Sequence, residues 1–155
     1  GFLTLIASNY LGAKESAGTL AIQLVRAIQR DDLETWRKSL TAFFASIPYT
    51  MRRKDNEKEK ERYFHYTFYL IFRILSTYLV LIEMQQSEGR ADCIIETEKC
   101  VYIFEFKLDG SAEEALQQIE EKGYALPYIA DNRSVRKVGV NFSSVTGTIV
   151  DWKEI

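Results

Sequence analysis

Apolar positions recur at helical spacing through the first third of the chain. Ala21, Leu24, Val25 and Ile28 form one stripe, and Leu33, Trp36, Leu40, Phe43, Phe44 and Ile47 form a second. Together they predict a helical hairpin, with Asp31 and Glu34 as a capping box between the helices and Pro48 as the stop of the second. A third helix is expected from about Asn56 to Tyr78. The pattern then changes. Residues 90–97 (RADCIIET) and 100–107 (CVYIFEFK) are short runs rich in Ile, Val, Tyr and Phe around a polar turn, so they read as antiparallel strands. Asp109-Gly110-Ser111 is a turn, Ser111 with Glu114 fits a capping box, and a helix should run to about Lys122 with Ala115, Gln118 and Ile119 facing the sheet. Val135–Asn141 and Thr148–Trp152 supply two more strands. This order predicts an α/β fold, a sheet flanked by helices behind an N-terminal helical hairpin.

The turn between the first two strands fixes their register. An even loop centred on Glu98-Lys99 sets Asp92 directly opposite Glu105. Two carboxylates so opposed repel, and a divalent cation is the natural compensation. Lys107 lies two residues beyond Glu105 and therefore on the same face. Hard oxygen ligands with few protein contacts suit magnesium, which keeps several waters and also binds phosphates. On spacing alone, an equally good reading is a solvated Asp-Glu-Lys cluster in which the lysine neutralises the acids.

Composition narrows the classes. The chain has 155 residues, 46% of them hydrophobic, enough for one core of ordinary size. A formal net charge of −2 gives no global basic field, so any nucleic-acid contact must be local. Arg52, Arg53 and Lys54 open a mixed run whose acids nearly cancel them, which reads as a solvated loop. In the register above Cys93 and Cys100 lie too far apart to bridge, so both are expected as thiols in a reducing cytoplasm. With His65 as the lone histidine there is no Cys/His set for structural zinc. The apolar stretch from Tyr63 to Ile82 is interrupted by Arg73 and Ser76-Thr77, which argues for a buried helix running into a strand rather than a membrane span. The run from Phe2 to Ala7 is too short for a signal-peptide core, and a start at Gly1 rather than Met reads as an excised fragment.

Asp92, then Glu105-Phe106-Lys107 at the end of the next strand, resembles the PD-(D/E)XK nuclease superfamily. The surrounding text strengthens the likeness: Glu88 to Asp92, Tyr102 to Leu108, Ala112 to Ile119, Lys122-Gly123-Tyr124 and Val138 to Phe142. It resembles the branch found as a C-terminal domain behind an AAA-type ATPase-like domain in many bacterial proteins. The likeness covers residues 57–155 and implies a restriction-endonuclease-like αβββαβ core with a mixed sheet. Residues 1–50 then form a helical connector and 51–155 the nuclease-like domain.

What the resemblance implies for function is magnesium- or manganese-dependent hydrolysis of a phosphodiester, most readily in DNA. Asp92 and Glu105 would hold the metal with the Phe106 carbonyl as a further ligand, and Lys107 would position water or stabilise the developing oxyanion. Glu61 on the preceding helix and Gln118 on the following one would assist. For Glu61 the competing reading is a capped, solvent-facing side chain, for Gln118 a buried amide bonded to backbone, and for His65 a group satisfied at the core edge; Tyr124 is expected to pack rather than react. A different class stays open, a nuclease-fold module without cleavage activity that binds nucleic acid or a partner protein for the attached ATPase-like domain.

Overall fold

The computed structural model describes residues 14–46, 56–76, 81–87 and 90–155. Helices α1 (Lys14–Gln29) and α2 (Leu33–Ser46) form the hairpin, and α3 (Glu57–Ser76) leads into β1 (Leu81–Ser87), β2 (Arg90–Glu96) and β3 (Cys100–Leu108). After these come α4 (Ala112–Lys122), a 3-10 turn at Leu126–Tyr128, β4 (Ser134–Ser143) and β5 (Thr148–Glu154). The five strands lie in one sheet in chain order. Every neighbouring pair is antiparallel except β3 and β4, which are parallel and joined through α4. The expected αβββαβ order is present, with β5 appended to a mixed sheet flanked by helices.

Alternation along β3 divides the core between two faces. Tyr102, Phe104 and Phe106 point to one side and join Leu24, Ile28, Trp36, Phe44, Phe64, Phe68 and Phe72 from α1, α2 and α3. Trp36 stacks on Phe104 with ring centroids 4.7 Å apart, and Phe68 meets Phe106 at 4.5 Å. The intervening Val101 and Ile103 pack the other way, with Ile94, Leu116 and Ile119 beneath α4. A strand covered on both faces reads as a nearly continuous apolar run, which accounts for CVYIFEF. Glu105 interrupts that run on the α4 side. The α1–α2 hairpin and the sheet share the larger core cluster.

The capping box between α1 and α2 is displaced by one residue from expectation. Asp32, not Asp31, caps α2: its carboxylate accepts from the Thr35 amide at 3.0 Å and from the Thr35 hydroxyl at 2.6 Å. Asp31 instead occupies the left-handed position (φ 57°) that ends α1, with its amide bonded to the Ile28 carbonyl and that of Asp32 to Ala27. Its carboxylate is drawn to β3 and β4, accepting from Tyr102 Oη at 2.6 Å and from the Arg136 guanidinium through both oxygens. These contacts, Arg136 foremost, hold the Asp31 carboxyl below the usual range. The sequence pattern shows the acid pair but not that a distant arginine claims the first of them.

Tyr63, Phe64, Phe68, Ile71, Phe72 and Leu75 of α3 are buried in the core. No helix among the described residues is long and apolar enough to cross a membrane. Cys93 and Cys100 are buried free thiols, as the register requires. The readings placed on Phe2–Ala7, Ile47, Pro48, Arg52, Arg53, Lys54 and Tyr78 lie outside the described residues.

Gly139 sets how closely α4 sits on the sheet. A Cβ there would stand 2.1 Å from the Ala112 carbonyl oxygen and 3.0 Å from both the Leu116 amide nitrogen and its Cγ, so helix backbone would have to move. Gly139→Ala should therefore cost at least about 2 kcal/mol, read as a lower urea midpoint. An unchanged midpoint would mean that α4 is not seated on Gly139.

Candidate active site

Strands β2 and β3 pair in the register that the turn dictates. Thr97 closes the loop by donating its amide to the Cys100 carbonyl at 2.8 Å and accepting the Cys100 amide on its hydroxyl at 3.1 Å. Asp92 then stands opposite Glu105, and one row further along Arg90 stands opposite Lys107. By alternation all four occupy the face under α4. Two like-charged rows thus lie side by side, acidic and basic, each unfavourable alone.

Glu105 is fully buried, and neither carboxylate oxygen has a hydrogen-bond partner. Burial, reinforced by the Asp92 charge, pushes its pKa up to about 7 against the opposing pull of Lys107, Arg90 and Lys122. A carboxylate with two orphaned oxygens inside a protein is costly, and beside a second carboxylate it has the chemistry of a cation ligand. Among the described residues no group of three or more His, Cys, Asp and Glu converges on one point. A cation here would therefore rest on two carboxylates, a main-chain carbonyl and water, a donor set that magnesium accepts. The Phe106 side chain packs on Phe68 and Phe72 in the opposite layer, so only its carbonyl could contribute.

The elements around this quartet are closely tied down. Beyond Lys107, the Asp109 amide bonds to the Phe142 carbonyl and the Gly110 amide to Asn141 Oδ1, both at 2.8 Å. Ser111 caps α4 through the Glu114 amide at 3.0 Å, and Asp151 accepts the Ala112 amide at 2.9 Å. The far end of α4 closes in a Schellman turn, with Gly123 in the left-handed conformation (φ 65°), its amide on the Glu120 carbonyl and the Tyr124 amide on Ile119. That turn delivers Tyr124, whose hydroxyl donates to Asp92 Oδ2 at 3.1 Å.

The structure thus gathers Asp92, Glu105 and Lys107 on one face. Gln118 lies half-buried on α4, flanked by the buried Ala115 and Ile119. Glu61 lies on α3, whose buried aromatic residues join the core on the other face of the sheet, and its Oε1 stands 3.4 Å from His65 Nε2 one turn on. Two residues beside the acids, Tyr124 and Arg90, lie outside the site that the sequence predicts. Tyr124 read as packing, though Lys122-Gly123-Tyr124 carries the glycine of a Schellman turn, the one local signal for its placement. Arg90 was signalled by its two-residue spacing from Asp92, which puts both on one face of the strand.

A profile of the PD-(D/E)XK nuclease superfamily matches residues 59–152, spanning α3 through β5 and including every residue of the quartet. The chain belongs to that superfamily. It is also 36% identical over 149 residues to a protein of Azotobacter chroococcum mcd 1 described as "Uncharacterized protein in vnfD 5'region", a match covering 92% of this chain. The chain spans only 29% of that relative's length. No solved structure gives a significant match.

Proposed function

We propose that this chain is a metal-dependent nuclease domain that hydrolyses phosphodiester bonds in DNA. The observation that carries the reading is Glu105, buried opposite Asp92 with both oxygens unpartnered in a member of a nuclease superfamily. Asp92, Glu105 and the Phe106 carbonyl would hold magnesium or manganese. Such a cation, when bound, supplies charge neutralisation at a phosphoryl oxygen and a more acidic water.

The remaining work falls to side chains. Lys107 donates hydrogen bonds to the phosphoryl oxygen on which charge accumulates as water attacks phosphorus and the P–O bond opposite breaks. Arg90, across the sheet from Lys107, offers a second cation to the same backbone, so the basic row is relieved by substrate phosphate much as the acidic row is relieved by the metal. Because Glu105 ionises only near pH 7, metal loading and cleavage should rise through that pH. Gln118, half-buried on α4, would orient the lysine or a phosphate; Glu61 would act only from the margin.

We place this domain behind an AAA-type ATPase-like region in a bacterial, cytoplasmic protein. Supporting this are the branch resemblance in the sequence and the much greater length of the Azotobacter relative. The test is nicking of plasmid and degradation of single-stranded DNA and RNA with Mg²⁺ or Mn²⁺. The net charge of −2 favours one other outcome, a nuclease-fold module that binds without cutting. Retained DNA or partner binding with no cleavage in any metal would establish that module instead.

A further inference from the structure

The acid pair is unevenly supported. Glu105 has no hydrogen-bond partner on either oxygen, whereas Asp92 receives the Tyr124 hydroxyl on Oδ2 at 3.1 Å. Tyr124 is placed there by backbone. Its amide closes the Schellman turn onto Ile119 at 3.3 Å, its ring packs with the Ile94, Val101, Ile103, Leu116 and Ile119 cluster, and Gly123 occupies the left-handed position before it. A Cβ at Gly123 would stand 2.8 Å from Cδ1 of the exposed Leu126, a side-chain tip that can move aside, so it is the left-handed backbone that calls for glycine here. A phenol hydroxyl has a proton to give and a carboxylate has none, so Tyr124 is the donor in this contact.

From this geometry we infer that Tyr124 is the positioning residue for Asp92, holding one carboxylate oxygen so that the other is presented toward Glu105 for a divalent cation. The inference rests on the metal-site reading above. A carboxylate free to rotate loses orientational freedom when it takes up a metal, and a fixed donor on its second oxygen removes that cost beforehand; outer partners of this kind are commonly worth 10–100-fold in metal affinity. Tyr124 touches neither substrate nor metal in this arrangement. Its removal should therefore show in binding of the metal far more than in turnover once the metal is saturating.

Calorimetric titration of the 155-residue chain with Mn²⁺ alone tests this without any substrate. Tyr124→Phe keeps the ring and loses only the hydroxyl, so the dissociation constant should rise 10–100-fold. Cleavage at saturating Mn²⁺ should stay within a few-fold of wild type, and the metal-free far-ultraviolet spectrum should be unchanged. Gly123→Ala retains the hydroxyl but disturbs the turn that delivers it, and should weaken Mn²⁺ binding as well. Equal affinities for wild type and Tyr124→Phe, with binding abolished in Glu105→Gln, would overturn the role of Tyr124 while leaving the metal site intact. A wild-type chain that takes up no Mn²⁺ would overturn both.

Discussion

Lys107→Ala and Glu105→Gln will each lose DNA cleavage by about 10²-fold or more, but their melting behaviour will diverge. The divergence separates a working lysine from a mere counter-ion. If Lys107 serves only to neutralise Asp92 and Glu105, its removal leaves two opposed carboxylates unbalanced and stability falls by roughly a kilocalorie per mole or more, with or without metal. If a divalent cation balances the acids, Lys107→Ala melts close to wild type in saturating Mg²⁺ and still gains stability on adding it, because ligand binding to the folded state is intact. Glu105→Gln behaves oppositely, losing both cleavage and the magnesium-dependent rise in melting temperature. Plasmid nicking alongside thermal melts for the three proteins is sufficient. A Lys107→Ala variant that cleaves at the wild-type rate would remove the lysine from the mechanism.

Much of this site could be read in the chain because its parts are local. Asp92 and Glu105 sit on consecutive strands joined by a turn whose Thr97–Cys100 pair encloses two residues, so strand period and turn length together fix which residues oppose. The same holds for the Ser111 cap and for the aromatic alternation of β3, each set by residues a few positions apart. What escaped depends on contacts between distant segments. Asp31 and Asp32 are adjacent acids with equal claim to cap α2, and the choice is made by Arg136, 105 positions away. Tyr124 acquires its partner 32 positions upstream only because α4 packs across the sheet and ends in a left-handed turn. Burial of Glu105 is likewise a tertiary property. An acid inside an apolar run announces itself, but whether its oxygens find partners is decided by the strands and helix around it.

That burial has a consequence for stability that does not depend on catalysis. The Glu105 carboxyl titrates near pH 7 in the folded chain against an ordinary value of 4.5. Between those values the folded state holds a proton that the unfolded chain has released, so the contribution of this group is fully present below about pH 4.5 and is lost as pH rises through 7. After allowance for solvent screening, the loss in the metal-free protein is roughly 2 kcal/mol. Glu105→Gln cannot ionise and escapes it. Without divalent cations at pH 8 the variant should melt about 4–8 °C above wild type, and at pH 4, where Glu105 is largely protonated in folded and unfolded chains alike, the two should nearly coincide. Saturating Mg²⁺ at pH 8 should raise the wild type toward the variant and leave the variant unmoved, because the cation then occupies the site that ionisation made unfavourable. The comparison needs only thermal melts in chelator and in magnesium at two pH values. A variant that melts at or below wild type in chelator at pH 8 would mean that Glu105 is stabilised by partners within the protein, and the argument for a cation between Asp92 and Glu105 would lose its foundation.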